Sequence, residues 1–206
     1  EVVEPWKDRG GLSQRRKTWT FGFDQIFDPK NSQRDIWDGC EPLIQSAIDG
    51  FNVTLFAYGQ TGSGKTYTML GGEAGSNEEG IISRAIRKLF NAKAEIEEIS
   101  RGVKQVSLSV ELLEIYNENV RDLLGNETNG TGLKIVANEA VGSTHRPVES
   151  ERDVLNILEK AQKRRCVKAT ASNATSSRSH MLFTIVFSVL SKDGATRSGK
   201  LHVCDL

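Results

Sequence analysis

Apolar residues run along this chain in two rhythms. Phe51 to Tyr58 is an unbroken apolar run rich in β-branched and aromatic side chains, which predicts a buried strand. Val106 to Ile115 alternates, with Leu108, Val110 and Leu112 against Ser107, Ser109 and Glu111, until the phase slips at Leu112-Leu113 through a bulge or burial on both faces. Met181 to Leu190 is almost continuously apolar and predicts a central strand, with a turn at Asp193-Gly194 and a partner strand from Gly199 to Leu206.

Helical spacing alternates with these strands. Ser32, with Asp35 three residues on, predicts an N-cap for a helix whose inner face carries Ile36, Cys40, Leu43, Ile44, Ala47 and Ile48; Pro42 should kink it and Gly50 end it. Ile82, Ala85, Ile86 and Leu89 mark a second helix. Ser150 and Asp153 open a third, with Val154, Leu158 and Ala161 inward. Asn117 is expected to cap a short helix through Leu124, and 133–148 to form short strands. Residues 1–17 read as a polar, basic start without period, 18–23 as a short aromatic strand kinked at Gly22, and 71–80 as a polar insertion. Interleaved strands and helices predict an α/β sandwich, mostly parallel with some antiparallel pairing.

Composition narrows the class. At 206 residues the chain suits one domain, and Lys+Arg and Asp+Glu are both 27, so net charge points to no nucleic acid and no membrane partner. Cys40, Cys166 and Cys204 are far apart and odd in number, with neither a disulfide framework nor a zinc spacing; a reducing, intracellular setting is the expectation. There is no apolar run of membrane-spanning length and no signal peptide at the start.

The chemistry concentrates after the first buried run. Gly59, Gln60, Thr61, Gly62, Ser63, Gly64, Lys65 and Thr66 fit the phosphate-loop pattern G-x-x-x-x-G-K-[ST], between a predicted strand and a predicted helix. Its glycines let backbone N–H groups close round an anion, Lys65 can neutralise terminal phosphates, and the Thr66 hydroxyl can ligate Mg²⁺. A chance glycine-rich turn is the plain alternative, and strand-before-loop context argues against it. Asn173 to His180 packs hydroxyls round Arg178: either a γ-phosphate sensor or a polar loop whose Ser and Thr satisfy turn backbone. Asp205 ends a strand, where it can hold Mg²⁺ through water or simply begin a turn.

Together these pieces resemble the kinesin motor domain. The matching residues are FAYGQTGSGKTYTM at 56–69, LLEIYNENVRDLL at 112–124 and NATSSRSH at 173–180, with FGFDQIFDP at 21–29, QSAIDGFN at 45–52 and Asp205-Leu206 in the expected order. The resemblance implies a three-layer P-loop NTPase fold, its central mixed, mostly parallel sheet flanked by helices on both faces. It implies ATP and Mg²⁺ as ligands, Gly59 to Thr66 and Tyr67 at the nucleotide, and Thr66, Ser177 and Asp205 at the metal. Ser176 and Asn173 would order the γ-phosphate and attacking water, and Arg178 would latch onto a glutamate of the second switch. Tyr116 to Asn119 reads as structural.

The same resemblance implies a cytoplasmic, cytoskeletal protein that hydrolyses ATP, binds microtubules and dimerises through a stalk. Residues 1–206 are expected to be a partial motor domain, lacking the family's first strand and everything beyond the start of the second switch, and inactive by themselves. Lys160, Lys163, Arg164, Arg165 and Lys168 fit a solvated helix face better than a tubulin contact; His145 and Arg146 fall where the family has a tubulin-facing loop. The rival readings are a kinesin-like module that binds without cycling and a non-motor phosphate-loop enzyme. The latter calls for a base-specificity motif or an acceptor pocket, and neither stands out in the sequence.

Overall fold

The structure, a computed structural model, describes residues 2–3, 18–125, 132–137, 139–171 and 179–205, of 164–171 the backbone only. The chain divides into two compact units, Glu1–Asn31 and Ser32–Leu206. In the first, β1 (Val2–Val3) pairs antiparallel with β2 (Thr18–Trp19). The aromatic strand expected over 18–23 is therefore shorter, and Val2–Val3 pairs where only an irregular start was expected. An Asp28–Asn31 turn closes this unit, with the Asp28 N–H donating to Asn31 Oδ1 at 2.7 Å.

The second unit is built on a six-stranded sheet. Its chain order is α1 (Gln33–Ile48), β3 (Val53–Ala57), α2 (Lys65–Met69), α3 (Ile81–Ile99), β4 (Gln105–Tyr116), β5 (Asn119–Asp122), β6 (Lys134–Val136), β7 (Glu139–Val141), β8 (Arg146–Val148), α4 (Glu151–Ala171), β9 (Ser179–Leu190) and β10 (Thr196–Asp205). Across the sheet the order is β3-β10-β9-β4, with β5 and β8 sharing the outer edge of β4, while β6 and β7 form a separate hairpin.

The sheet is mixed, as expected, but among the described pairs only β3 with β10 is parallel. Two of the antiparallel pairs follow from tight connections. Between β9 and β10 the chain reverses at Gly194, whose φ of 83° a side chain resists. Between β4 and β5 it reverses on Asn117 and Glu118, with φ of 47° and 64°, a two-residue turn whose twist suits a hairpin. That turn corrects the expected helix from Asn117 to Leu124: asparagine tolerates the left-handed conformation as readily as it caps. The slip at Leu112-Leu113 is burial on both faces, because β4 pairs with β9 without interruption from Gln105 to Tyr116.

One face of the sheet is covered. Leu201 and Val203 of β10, Phe183, Ile185 and Phe187 of β9, and Leu108, Val110 and Leu112 of β4 are buried on alternate positions, in one cluster with α1, α3 and α4. The opposite positions Leu182, Val186, His202 and Cys204 remain half-buried. The described helices thus lie on one face, whereas the implied fold has helices on both. Both expected helix N-caps form: Ser32 and Asp35 make a reciprocal capping box, and the Asp153 N–H donates to Ser150 Oγ while Asp153 Oδ2 accepts from the Ser150 N–H. The inner stripe of α1 runs through Gln33, Trp37, Ile44, Ala47 and Ile48. Leu43 is 42% exposed, since it sits about 100° round the helix from Ile44. Helix α1 continues through Pro42.

The 71–80 insertion is held down by a buried carboxylate. Glu79, 1% exposed, receives both terminal nitrogens of Arg87, at 2.6 and 2.8 Å, and the Gly75 N–H at 3.0 Å. Burial alone would raise this carboxyl; the Arg87 and Gly75 donors outweigh it and hold it below its ordinary value of 4.5. Because the folded-state value is depressed, the stability it contributes is complete above the ordinary value and is lost on acidification through the folded-state one. Urea midpoints taken from neutral pH downward should therefore separate wild type from Glu79→Gln by a constant margin that shrinks only below the ordinary carboxylate value. A margin independent of pH would contradict the pairing.

A second prediction concerns the seat of α1. A Cβ on Gly199 would lie 2.0 Å from the Ala47 carbonyl oxygen and 2.9 Å from that of Phe51, so backbone must move to admit it. Gly199→Ala should cost about 1–3 kcal/mol in chemical denaturation, and an unchanged midpoint would contradict this close approach.

Candidate functional site

The parallel register decides where the site forms. Asp205 pairs with Ala57, so the carboxylate at the end of β10 stands beside the strand that feeds the glycine loop two residues later. The loop then turns on Gly62 and Gly64, with φ of 82° and 90°. Gly59 is crowded too: a Cβ there would lie 2.6 Å from Ser63 Oγ, so the serine hydroxyl would have to rotate away. Gly64 leads directly into α2, which presents Lys65, Thr66 and Tyr67 in its first turn.

Thr66 Oγ1 donates to Asp205 Oδ2 at 2.8 Å, joining residues 139 positions apart. Two of the three expected metal ligands are thereby brought together. Asp205 is buried, and among the described residues its side-chain partner is this neutral hydroxyl. A buried carboxylate without a cationic partner is costly, and an oxygen-only donor pair suits a hard divalent cation such as Mg²⁺. The residues present fit that ion. Lys65 Nζ donates to the Gly59 and Gln60 carbonyls at 2.9 and 3.0 Å, which holds the ammonium over the loop. Charged phosphate oxygens are stronger acceptors than either carbonyl.

Tyr67 is half-exposed, its hydroxyl bonded to Glu78, and its carbonyl accepts from Gln33 Nε2 at 2.6 Å. Gln33 is buried at the head of α1, and so ties the first helix to the loop helix. Sequence reasoning missed it; the available signal was a polar residue four positions before Trp37 on one helical stripe.

Asn173, Ser176, Ser177 and Arg178 lie outside the described residues. Their immediate successor is described. Ser179 opens β9 opposite Tyr116, and Met181 pairs with both Asp205 and Glu114. The strand that follows the hydroxyl-rich run in the chain therefore begins at the same end of the sheet as the glycine loop and Asp205. Ser179 Oγ donates to Glu114 Oε1 at 2.6 Å, and Glu114 also faces Arg121 at 3.6 Å; the sequence reading assigned neither acid nor serine a role. Tyr116 carries the Arg121 guanidinium 5.0 Å above its ring, which accords with the structural reading of that segment.

Of the residues considered for tubulin, Arg146 donates to the Leu124 carbonyl at 3.0 Å, and His145 lies 3.9 Å from Glu111. Lys163 pairs with Glu159 one turn away, both exposed, as a solvated face would. The side chains of Arg164, Arg165 and Lys168 lie outside those described. Among the described residues no helix is long and apolar enough to cross a membrane.

A glycine loop between a strand and a helix, with its threonine bonded to an aspartate on the parallel neighbour, defines a phosphate-loop nucleotide-binding domain. Residues 4–206 match the kinesin motor domain family, and the chain belongs to it. It is 41% identical over 193 residues to the kinesin-like protein KIN-14K of Oryza sativa subsp. japonica, covering 90% of this chain and 19% of that protein. With KIN-14H of Arabidopsis thaliana the identity is 43% over 193 residues, covering 91% and 18%. Among solved structures it is similar to a fast kinesin, described for its ATPase mechanism and interactions with microtubules, at a TM-score of 0.81 and 33% identity over 90% of this chain and 53% of that one. The chain spans about a fifth of the length of these curated relatives.

If Lys65 is the loop's phosphate cation, Lys65→Ala should weaken binding of a fluorescent ATP analogue by about 1.5–3 kcal/mol, the scale of a charge-assisted contact. Equal titration curves for the two proteins would remove Lys65 from the site.

Proposed function

We propose that this chain is the nucleotide-engaging part of a microtubule motor that couples Mg-ATP hydrolysis to microtubule binding and movement. The observation that carries the reading is the 2.8 Å bond between Thr66 and Asp205. It supports a single site in which the loop and the end of β10 act on one ligand. Family membership, and the ATPase mechanism and microtubule interactions described for the fast kinesin, support ATP as substrate and the microtubule as partner.

In this reading the Gly59 to Gly64 backbone receives the phosphates and Lys65 neutralises the terminal ones. Thr66 and Asp205, with Ser177, would hold Mg²⁺, Asp205 through water, and when bound it would supply neutralising charge at the phosphates. Ser176 and Asn173 orient the γ-phosphate and the attacking water, while Arg178 latches the closed arrangement. Catalysis of this kind is chiefly positioning and electrostatic stabilisation. In this reading the protein acts in the cytoplasm on the cytoskeleton and dimerises through a stalk.

A kinesin-like module that binds nucleotide or microtubules without cycling is the second reading. Steady-state ATP turnover of the full-length protein, with and without microtubules, separates the two. Turnover that rises with microtubules supports the motor, and binding without turnover supports the module. In the same assay Arg178→Ala should retain ATP and microtubule binding yet lose most of the stimulated turnover. Normal stimulation in that variant would remove the latch role.

A further inference from the structure

Glu114 is a buried acid at the site end of the sheet, on the same face as Asp205. It is 5% exposed. Asp205, Met181 and Glu114 form one row across β10, β9 and β4, which puts the two carboxylates one strand apart, about 10 Å between their Cα atoms. Among the described residues, Arg121 and Ser179 both reach Glu114. Arg121 is its direct cross-strand neighbour on β5, with a guanidinium nitrogen 3.6 Å from Oε2. Ser179 is its diagonal neighbour on β9, and the serine Oγ lies 2.6 Å from Oε1. Arg121 in turn stacks on Tyr116, two residues along β4 on the same face.

The position of Ser179 gives these contacts their weight. It forms the last pair of the β4–β9 ladder, with Tyr116, and Arg178 is its immediate neighbour in the chain. Terminal ladder pairs fray unless side chains pin them, and a one-residue change of register turns each side chain of the strand to the opposite face. The Ser179–Glu114 bond supplies the pin: a short, charge-assisted hydrogen bond to a buried acceptor. The arginine-stacked hairpin tip braces that acceptor from its other side.

We propose that Glu114 is a positioning residue of the nucleotide site, acting through the Ser179 hydroxyl to hold the start of β9, the strand that follows Asn173–Arg178 in the chain. This rests on the motor-ATPase reading above for the role of that run. Glu114 touches no substrate; its effect is on alignment, so its loss lowers turnover rather than nucleotide affinity.

The test uses the full-length protein with Ser179→Ala, Glu114→Ala and Glu114→Gln. Each is measured for ATP-analogue affinity, for kcat and KM of microtubule-stimulated turnover, for Tm, and for hydrogen exchange at the amides of residues 179–181. Ser179→Ala should lower kcat roughly tenfold, in keeping with the sensitivity of turnover to small misplacements, with affinity unchanged and Tm within about 3 °C of wild type. Glu114→Ala should match it in kcat. Glu114→Gln keeps an acceptor oxygen for the serine and should restore most of the turnover. Exchange at 179–181 should quicken in the two alanine variants and stay near wild type in Glu114→Gln.

Wild-type kcat in Ser179→Ala, a glutamine variant as impaired as the alanine one, a kcat loss that merely tracks Tm, or unchanged exchange would each overturn the proposal. If the wild-type protein itself fails to turn over ATP, the motor reading falls, and the exchange measurement still decides whether Glu114 pins the start of β9.

Discussion

The parallel ladder between β3 and β10 is the constraint on which the site depends. Without it β3 would have no pairing partner among the described strands, and Asp205 would be an acid at the end of a hairpin. The ladder sets Asp205 beside Ala57, and the loop geometry does the rest by returning Thr66 to within 2.8 Å of that carboxylate. Antiparallel pairing of β10 with β9 then carries the same sheet end to Ser179 and Glu114. Three stretches far apart in sequence meet because strand ends, rather than side-chain attractions, have been brought level.

What could be read from sequence divides along the range of the interaction. Ser32 and Ser150 were legible as caps because a capping box is closed within four residues. Ile82, Ala85, Ile86 and Leu89 were legible because helical period reports burial directly. The loop from Gly59 to Thr66 was legible as chemistry because close backbone approach to an anion leaves little choice of residue. Pairing direction was not legible in the same way: an apolar strand such as Met181 to Leu190 looks alike whether its neighbours run with it or against it. Asn117 misled for a related reason, since one side chain serves a helix cap and a left-handed turn equally well.

The candidate site shows the same division. Thr66 and Asp205 were nominated separately, one by a local pattern and one by its place at a strand end, and the hydrogen bond between them is a tertiary fact. Gln33, Glu79 and Glu114 were missed because a polar residue in an element or a polar insertion reads as solvent-facing until its neighbours are known. Each proves buried against a partner distant in sequence or on another element: Gln33 on the Tyr67 carbonyl, Glu79 on Arg87, Glu114 on Arg121 and Ser179.

Three buried acids of this sheet and its helices separate structure from chemistry. Burying a carboxylate is costly unless its charge is answered. Glu79 is answered by a two-pronged arginine and a backbone N–H, and the result is a loop pressed onto α3. Glu114 is answered by Arg121 and a serine hydroxyl, and the result is a strand start held in register. Asp205 differs in kind. Among the described residues it is answered by a hydroxyl alone, at the mouth of a loop whose backbone and lysine are suited to phosphate. Among the described residues Glu79 and Glu114 are paired with arginine and Asp205 is not, which leaves its charge for whatever binds there. That contrast, more than the loop pattern taken alone, argues for a cation at Thr66 and Asp205 rather than at Glu79 or Glu114.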